Sequence, residues 1–216
     1  MTLPPVSGHS APMRIGIDFD NTIITYDDVF RATALGRGLI KEDFAGRSKQ
    51  AIRDHIRLLP DGEIAWQRLQ GQVYGKGVAE AAMFAGAGQF LDRCRRQGLP
   101  VVIVSHKTEY GHYDPDRVNL RRAALDWMTA RGFFRDYGLA VDDVFFESTR
   151  AEKLQRIAAL ACTHFIDDLE EVLTDPGFPE QVSRILFSNA AGAAHGAAYV
   201  ACRSWREIEE HVFERA

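Results

Sequence analysis

The sequence predicts an α/β fold: a Rossmann-like, mostly parallel sheet with helices on both faces and a small helical insertion. Three observations carry that prediction. Short apolar runs alternate with amphipathic helical stretches, the pattern of βαβ crossovers. Three of the runs end in polar side chains able to do chemistry: Asp18 with Asp20, Ser105, and Asp167 with Asp168. A long segment of helical pattern, residues 23–83, separates the first run from the second.

Taken in order, residues 1–12 (MTLPPVSGHSAP) lack the basic start and apolar stretch of a secretory signal and read as a flexible tail. Residues 13–19 (MRIGIDF) form an apolar run with β-branched residues, hence a strand with chemistry at its carboxyl end. The helical pattern that follows is punctuated by Asp43, Pro60 and Gly62. Residues 87–97 (AGQFLDRCRRQ) make an amphipathic helix stopped by Gly98 and Pro100. A continuous apolar strand, 99–104 (LPVVIV), leads to Ser105; a helix over 119–131 stops at Gly132. Strands at 143–146 and 163–166 bracket a helix over 152–161, and the second of them ends at Asp167 and Asp168. Further strands at 183–187 and 198–201, with an Ala/Gly-rich loop over 190–198 between them, precede a last helix from Trp205. The α/β core is therefore expected over 13–22 and 84–216, interrupted by the helical segment 23–83.

Composition sets outer limits. A chain of 216 residues can bury a full core, and its 46% hydrophobic and 26% charged residues are ordinary for a soluble globular protein. A net charge of -4 argues against a dedicated nucleic-acid binder. No apolar run approaches the roughly 20 residues of a membrane span. Three cysteines, an odd and scattered set without CxxC, suit reduced thiols in a cytoplasm. None of the seven histidines has HExxH spacing, and no GxGxxG or GxxxxGK[ST] occurs. Oligomeric state is left open.

The chemistry concentrates at the strand ends. Residues i and i+2 there face one crevice, so Asp18 and Asp20 are two carboxylates that repel unless a cation or a shared proton compensates. One can serve as nucleophile while its neighbour donates and accepts protons; Asp and Asn at this spacing also make ordinary turns. Asp167 and Asp168, first polar residues after an apolar strand, suit a hard divalent cation, Asp167 the more so, whereas Glu170 and Glu171 suit a helix N-terminus. Thr149 and Glu152 spell a capping box, which puts Lys153 in the first turn of its helix. A cation there opposes the macrodipole by about 0.3–1 kcal/mol, and a nearby carboxylate or phosphate relieves the conflict. Ser105 can donate to a phosphoryl oxygen, and His106 and Lys107, which adjoin it at the strand end, are expected to bind the substrate. Arg47, Lys49, Arg53 and Arg57 are either a solvated helix face or contacts for an anionic substrate body.

In this order the residues resemble the motifs of the haloacid dehalogenase superfamily. IGIDFDNTI resembles its first motif, VVIVSHKT its second, Lys153 its third and HFIDDLEEV its fourth; Phe84-Ala85-Gly86 resembles the usual lead into the second motif. The resemblance spans about 13–188. It implies a magnesium-dependent phosphohydrolase (phosphomonoesterase) with a small helical cap over 23–83, acting on a small phosphorylated metabolite. Asp18 would attack phosphorus and form an aspartyl-phosphate, Asp20 would act as acid and base, and Ser105 and Lys153 would hold the phosphoryl oxygens. Mg2+ would be bound by the Asp18 carboxylate, the Asp20 main-chain carbonyl and Asp167, with Asp168 acting through water. Many members carry an aspartate three or four residues beyond the first acid of the fourth motif; here Glu170 and Glu171 stand there, so the second metal-supporting acid stays open. Dehalogenase members typically lack the second aspartate of the first motif, so Asp20 points to the phosphatase branch. Phosphotransfer to another acceptor, or a silent binding or regulatory domain that kept the fold, are the alternatives.

Overall fold

The computed structural model describes residues 12–114, 116–188 and 198–214; most of the predicted tail and of the 190–198 loop lies outside the described residues. In chain order the strands are β1 (Ile15–Ile17), β2 (Ile24–Thr25), β3 (Ala82–Met83), β4 (Val101–His106), β5 (Val144–Glu147), β6 (His164–Asp167), β7 (Ser183–Phe187) and β8 (Val200–Cys202). Six of them form one sheet in the order β5-β4-β1-β6-β7-β8, every neighbouring pair parallel. The chain builds outward from β1 to β5, then returns to the other side of β1. That reversal opens a crevice at the carboxyl ends of β1 and β6, where open α/β sheets bind ligands.

The helices are α1 (Asp27–Gly36), α2 (Lys49–Arg57), α3 (Gly62–Tyr74), α4 (Ala87–Arg96), α5 (Leu120–Ala130), α6 (Arg150–Ala159), α7 (Glu170–Leu173) and α8 (Trp205–Glu214). Period-two alternation divides the sheet's side chains between two cores. Val101 and Ile103 join Phe90 of α4, Trp127 of α5 and Trp205 of α8; Val102 and Val104 join Leu154 and Ile157 of α6 and Leu173 of α7. Burial on both faces explains why the strands read as continuous apolar runs. In α4 the buried set Ala87, Phe90, Leu91 and Cys94 follows the helical stripe, and Gly98 beyond it adopts φ 67°, the left-handed conformation that ends a helix. Gly16 in β1 is required by space: a Cβ there would stand 2.6 Å from the Phe165 ring.

Between β2 and β3, residues 27–74 fold as three mutually packed helices with Phe30 stacked on Trp66 at 5.1 Å. β2 and β3 pair antiparallel and join the two ends of this insertion at the sheet's margin, with Phe84 N–H donating to Ile23 O at 2.8 Å. Asp43 and Pro60 fall between helices as expected, whereas Gly62 opens α3 rather than breaking it. Two further bounds shift. β1 is shorter than the expected 13–19 because the chain turns at once after Asp18, and β4 runs past Ser105 to His106 because β5 continues to pair with it. The helix expected from 152 begins at Arg150, capped by Thr149. No helix among the described residues is long and apolar enough to cross a membrane.

Candidate active site

Asp18 is the first residue beyond β1, and its N–H still donates to Ile166 O at 2.8 Å. The backbone then turns through Asn21, which takes φ 60°, a left-handed value asparagine tolerates. Phe19 anchors the turn with its ring edge-on to Trp127 at 5.5 Å, and Trp205 Nε1 donates to Thr22 O at 3.0 Å. The two carboxylates of the DxD turn are thereby fixed by packing from α5 and α8. Asp18, Asp20, Ser105, His106, Lys153 and Asp168 line one cavity of about 990 Å³ at the strand ends.

Lys153 is fully buried in the first turn of α6, and the capping box predicted for that helix is present. The ammonium donates to Asp18 Oδ1 at 2.7 Å and to Asp167 Oδ2 at 2.6 Å, so two carboxylates offset the conflict with the helix dipole. Burial works against the lysine's charge, but Asp167 and Asp18 outweigh it and hold the group above its ordinary range. Burial likewise pushes the Asp18 carboxyl up to about 7; Lys153 opposes the rise, while Asp167 and Asp20 add to it. Asp168 is raised as well, by burial first and then by Asp18 and Asp167. The site thus concentrates more negative charge than one lysine compensates.

Oxygens of Asp18, Asp167 and Asp168 lie within 4.8 Å of one another. Three carboxylates so close are a chemically suitable set for a hard divalent cation, which takes oxygen ligands. Within this set the roles differ. Asp167 is fully buried, with Oδ2 on Lys153 and Oδ1 accepting the Leu169 N–H at 2.9 Å. Asp168 faces the cavity, with Thr22 Oγ1 at 3.4 Å. Glu170 and Glu171 open α7, and Glu171 turns to Arg150 at 2.8 Å.

Asp20 is held from two directions. Lys107 Nζ reaches its Oδ2 at 2.7 Å and its Oδ1 at 3.0 Å, and Tyr26 OH donates to Oδ1 at 2.5 Å. Lys107 is only 4% exposed, stands 5.8 Å from the Phe19 ring centre and 5.1 Å from that of Tyr74, and so meets Asp20 rather than the open cavity. His106 lines the cavity but places Nε2 3.0 Å from Ser148 O. Ser105 Oγ is buried and is the one buried side-chain polar atom among the described residues with no hydrogen-bond partner. Such a hydroxyl costs about 1–3 kcal/mol until an acceptor or donor reaches it. A ligand oxygen in the adjoining cavity would remove that cost.

The insertion contributes Lys49 and Tyr74 to the cavity wall. Lys49 was one of four basic candidates; Tyr26 and Tyr74 were not foreseen. Their only sequence signal is aromatic character at helical spacing, Tyr26 four residues before Phe30 and Tyr74 eight after Trp66, which a plain core helix shares.

No protein-family model matches the sequence, nor does any curated protein. Solved structures do match its fold. A haloacid dehalogenase-like family hydrolase from Streptococcus pneumoniae superposes with a TM-score of 0.58 at 15% identity over 93% of this chain and 98% of that one. An L-2-haloacid dehalogenase gives 0.57 at 15% identity over 94% and 99%. A hydrolase of the same family from Deinococcus radiodurans, solved with bound phosphate and sodium, gives 0.56 at 15% identity over 95% and 97%. The chain therefore has the α/β fold of haloacid dehalogenase-superfamily hydrolases.

Proposed function

We propose that the protein is a magnesium-dependent phosphohydrolase that acts on a small phosphorylated metabolite through an aspartyl-phosphate on Asp18. The observation that carries this reading is the convergence, at the carboxyl ends of β1, β4 and β6, of a lysine-paired carboxylate, a second carboxylate at i+2 and a partnerless buried hydroxyl. Asp18 would attack phosphorus as the bond to the leaving oxygen breaks, and Asp20 would pass a proton to that oxygen. Asp20 would then take a proton from the water that hydrolyses the acyl phosphate and releases Asp18. Ser105 and Lys153 would hold the phosphoryl oxygens in line for both steps.

Asp18, Asp167 and the Asp20 main-chain carbonyl would hold Mg2+, with Asp168 supporting it through water; Asp167 also pairs with Lys153. The ion would supply the positive charge that the acidic cluster and an incoming phosphate require. Residues 23–83 would serve as a cap: Lys49 and Tyr74 already stand on the cavity wall. The three free, buried cysteines suit a reducing, cytoplasmic setting.

Dehalogenation is the second reading, motivated by the dehalogenase among the structural matches. Asp20 favours phosphate chemistry instead, since displacement of halide needs no acid at the leaving group. The test is release of phosphate from generic phosphoesters with magnesium and with chelator, beside release of halide from a 2-haloacid. Phosphate release that disappears with chelator and returns with magnesium is expected. Halide release without phosphate release would reverse the assignment.

A further inference from the structure

The insertion brings a cation of its own to the cavity. Of its four basic candidates, Arg47 is exposed, Arg53 pairs with Asp54 at 2.9 Å and Arg57 with Glu63 at 2.7 Å. Lys49 alone among them lines the cavity that holds Asp18 and Asp20. Its main-chain N–H donates to Asp27 Oδ1 at 2.8 Å, which ties the start of α2 to α1. Its ammonium lies 5.4 Å from the centre of the Tyr74 ring and 5.8 Å from that of Phe30.

The other lysine and arginine side chains at the cavity are committed. Lys153 is bound by Asp18 and Asp167, and Arg150 by Glu171 at 2.8 Å and Asp175 at 3.7 Å. Lys107, behind the wall, is bound by Asp20. Among the described residues the Lys49 ammonium forms no ion pair; the Tyr74 side chain hydrogen-bonds it, the Phe30 ring lies beside it, and Asp20 and Asp168 attract it from beyond ion-pair distance. A cation shielded by rings inside a cavity is poorly compensated by solvent and attracts an anion more strongly than a surface lysine does.

With a phosphoryl group seated on Asp18, Ser105 and Lys153, a substrate body that extends toward the insertion meets Lys49 and Tyr74, which its helices add to the cavity wall. We propose that Lys49 is a second anion subsite, so that the substrate is a small phosphoester whose body carries a further anionic group, a carboxylate or a second phosphate. The proposal rests on the phosphohydrolase reading for which end of the ligand meets Asp18.

Three phosphonates of matched length test it by binding, at fixed free Mg2+: propylphosphonate, 3-phosphonopropionate and propane-1,3-diphosphonate. The protein should bind at least one of the two charged-bodied probes about ten- to a hundredfold more tightly than propylphosphonate, the factor a charge-assisted contact supplies. Which of the two is preferred identifies the second group. Lys49→Met should bring the ratio near one, and Lys49→Arg should keep a preference, so that the loss tracks charge rather than shape. Equal affinity for all three probes, or a ratio that survives Lys49→Met, overturns the subsite. Hydrolysis of p-nitrophenyl phosphate, followed in parallel, separates the two readings. A protein that hydrolyses it without preferring charged bodies loses only the subsite; one that neither hydrolyses it nor binds any phosphonate loses both.

Discussion

Lys107 and Tyr26 together occupy the carboxylate of Asp20, the group assigned to proton transfer. Removing the lysine leaves that carboxylate held by one phenol, with its ammonium partner gone from a buried position. Charge-assisted contacts contribute about 1.5–3 kcal/mol each, so Lys107→Met should lower kcat by about ten- to a hundredfold. KM for a generic phosphoester should change little, because Lys107 does not line the cavity. Steady-state kinetics decide between roles: a raised KM with unchanged kcat would place Lys107 against the substrate. Sequence position suggested that second role, since Lys107 adjoins Ser105. Strand periodicity carried the better clue, because i and i+2 share a face and Ser105 and Lys107 both point toward the DxD turn. What no local pattern contained was Tyr26, whose partner Asp20 lies across a turn that only the folded chain closes.

At the scale of elements, α6 shows how a local signal positions Lys153, the group proposed to hold a phosphoryl oxygen. Thr149 Oγ1 accepts the Glu152 N–H at 3.2 Å, and Glu152 Oε2 returns to the Thr149 N–H at 3.0 Å. Thr149→Ala should cost about 1 kcal/mol in chemical denaturation, the usual worth of such a cap. Activity should fall less than tenfold, because the buried pairs with Asp18 and Asp167 hold Lys153 independently. A loss of stability below the error of the measurement would show that α6 is fixed by packing alone. This capping box, the apolar strands and the glycine stop after α4 were legible because each signal lies within one stretch of chain. The β2–β3 ribbon and α7 were not. They have two residues per strand and four in the helix, too few for a period to declare itself, and the ribbon's partners are separated by the whole insertion.

For the whole molecule, the reversal of strand order at β1 gathers carboxylates from β1 and β6 onto one crevice, and the fold tolerates this at a pH-dependent cost. Asp18 titrates near 7 in the folded chain against 3.8 ordinarily, because burial disfavours its charge. Between those values the folded state holds a proton that the unfolded state has released. In chelator, stability from this group is therefore present at about pH 4 and declines as pH rises toward 7. Magnesium bound as proposed would displace the same proton, so its stabilising effect should grow with pH. Thermal melts with magnesium and with chelator should separate more at pH 7.5 than at pH 5. A separation that is equal at both, or larger at pH 5, would contradict the assignment of Asp18 to the metal.

The proposed nucleophile, Asp18, is open to direct capture. Acetyl phosphate has a leaving group that needs no acid, so an Asp20→Asn variant should still be phosphorylated yet lack the base that hydrolyses the acyl phosphate. Borohydride reduction followed by peptide mass spectrometry should then find homoserine at position 18 and at no other aspartate. Phosphate release by the unmodified protein, with no reducible phosphoenzyme in this variant and an undiminished rate in Asp18→Asn, would contradict covalent catalysis at Asp18.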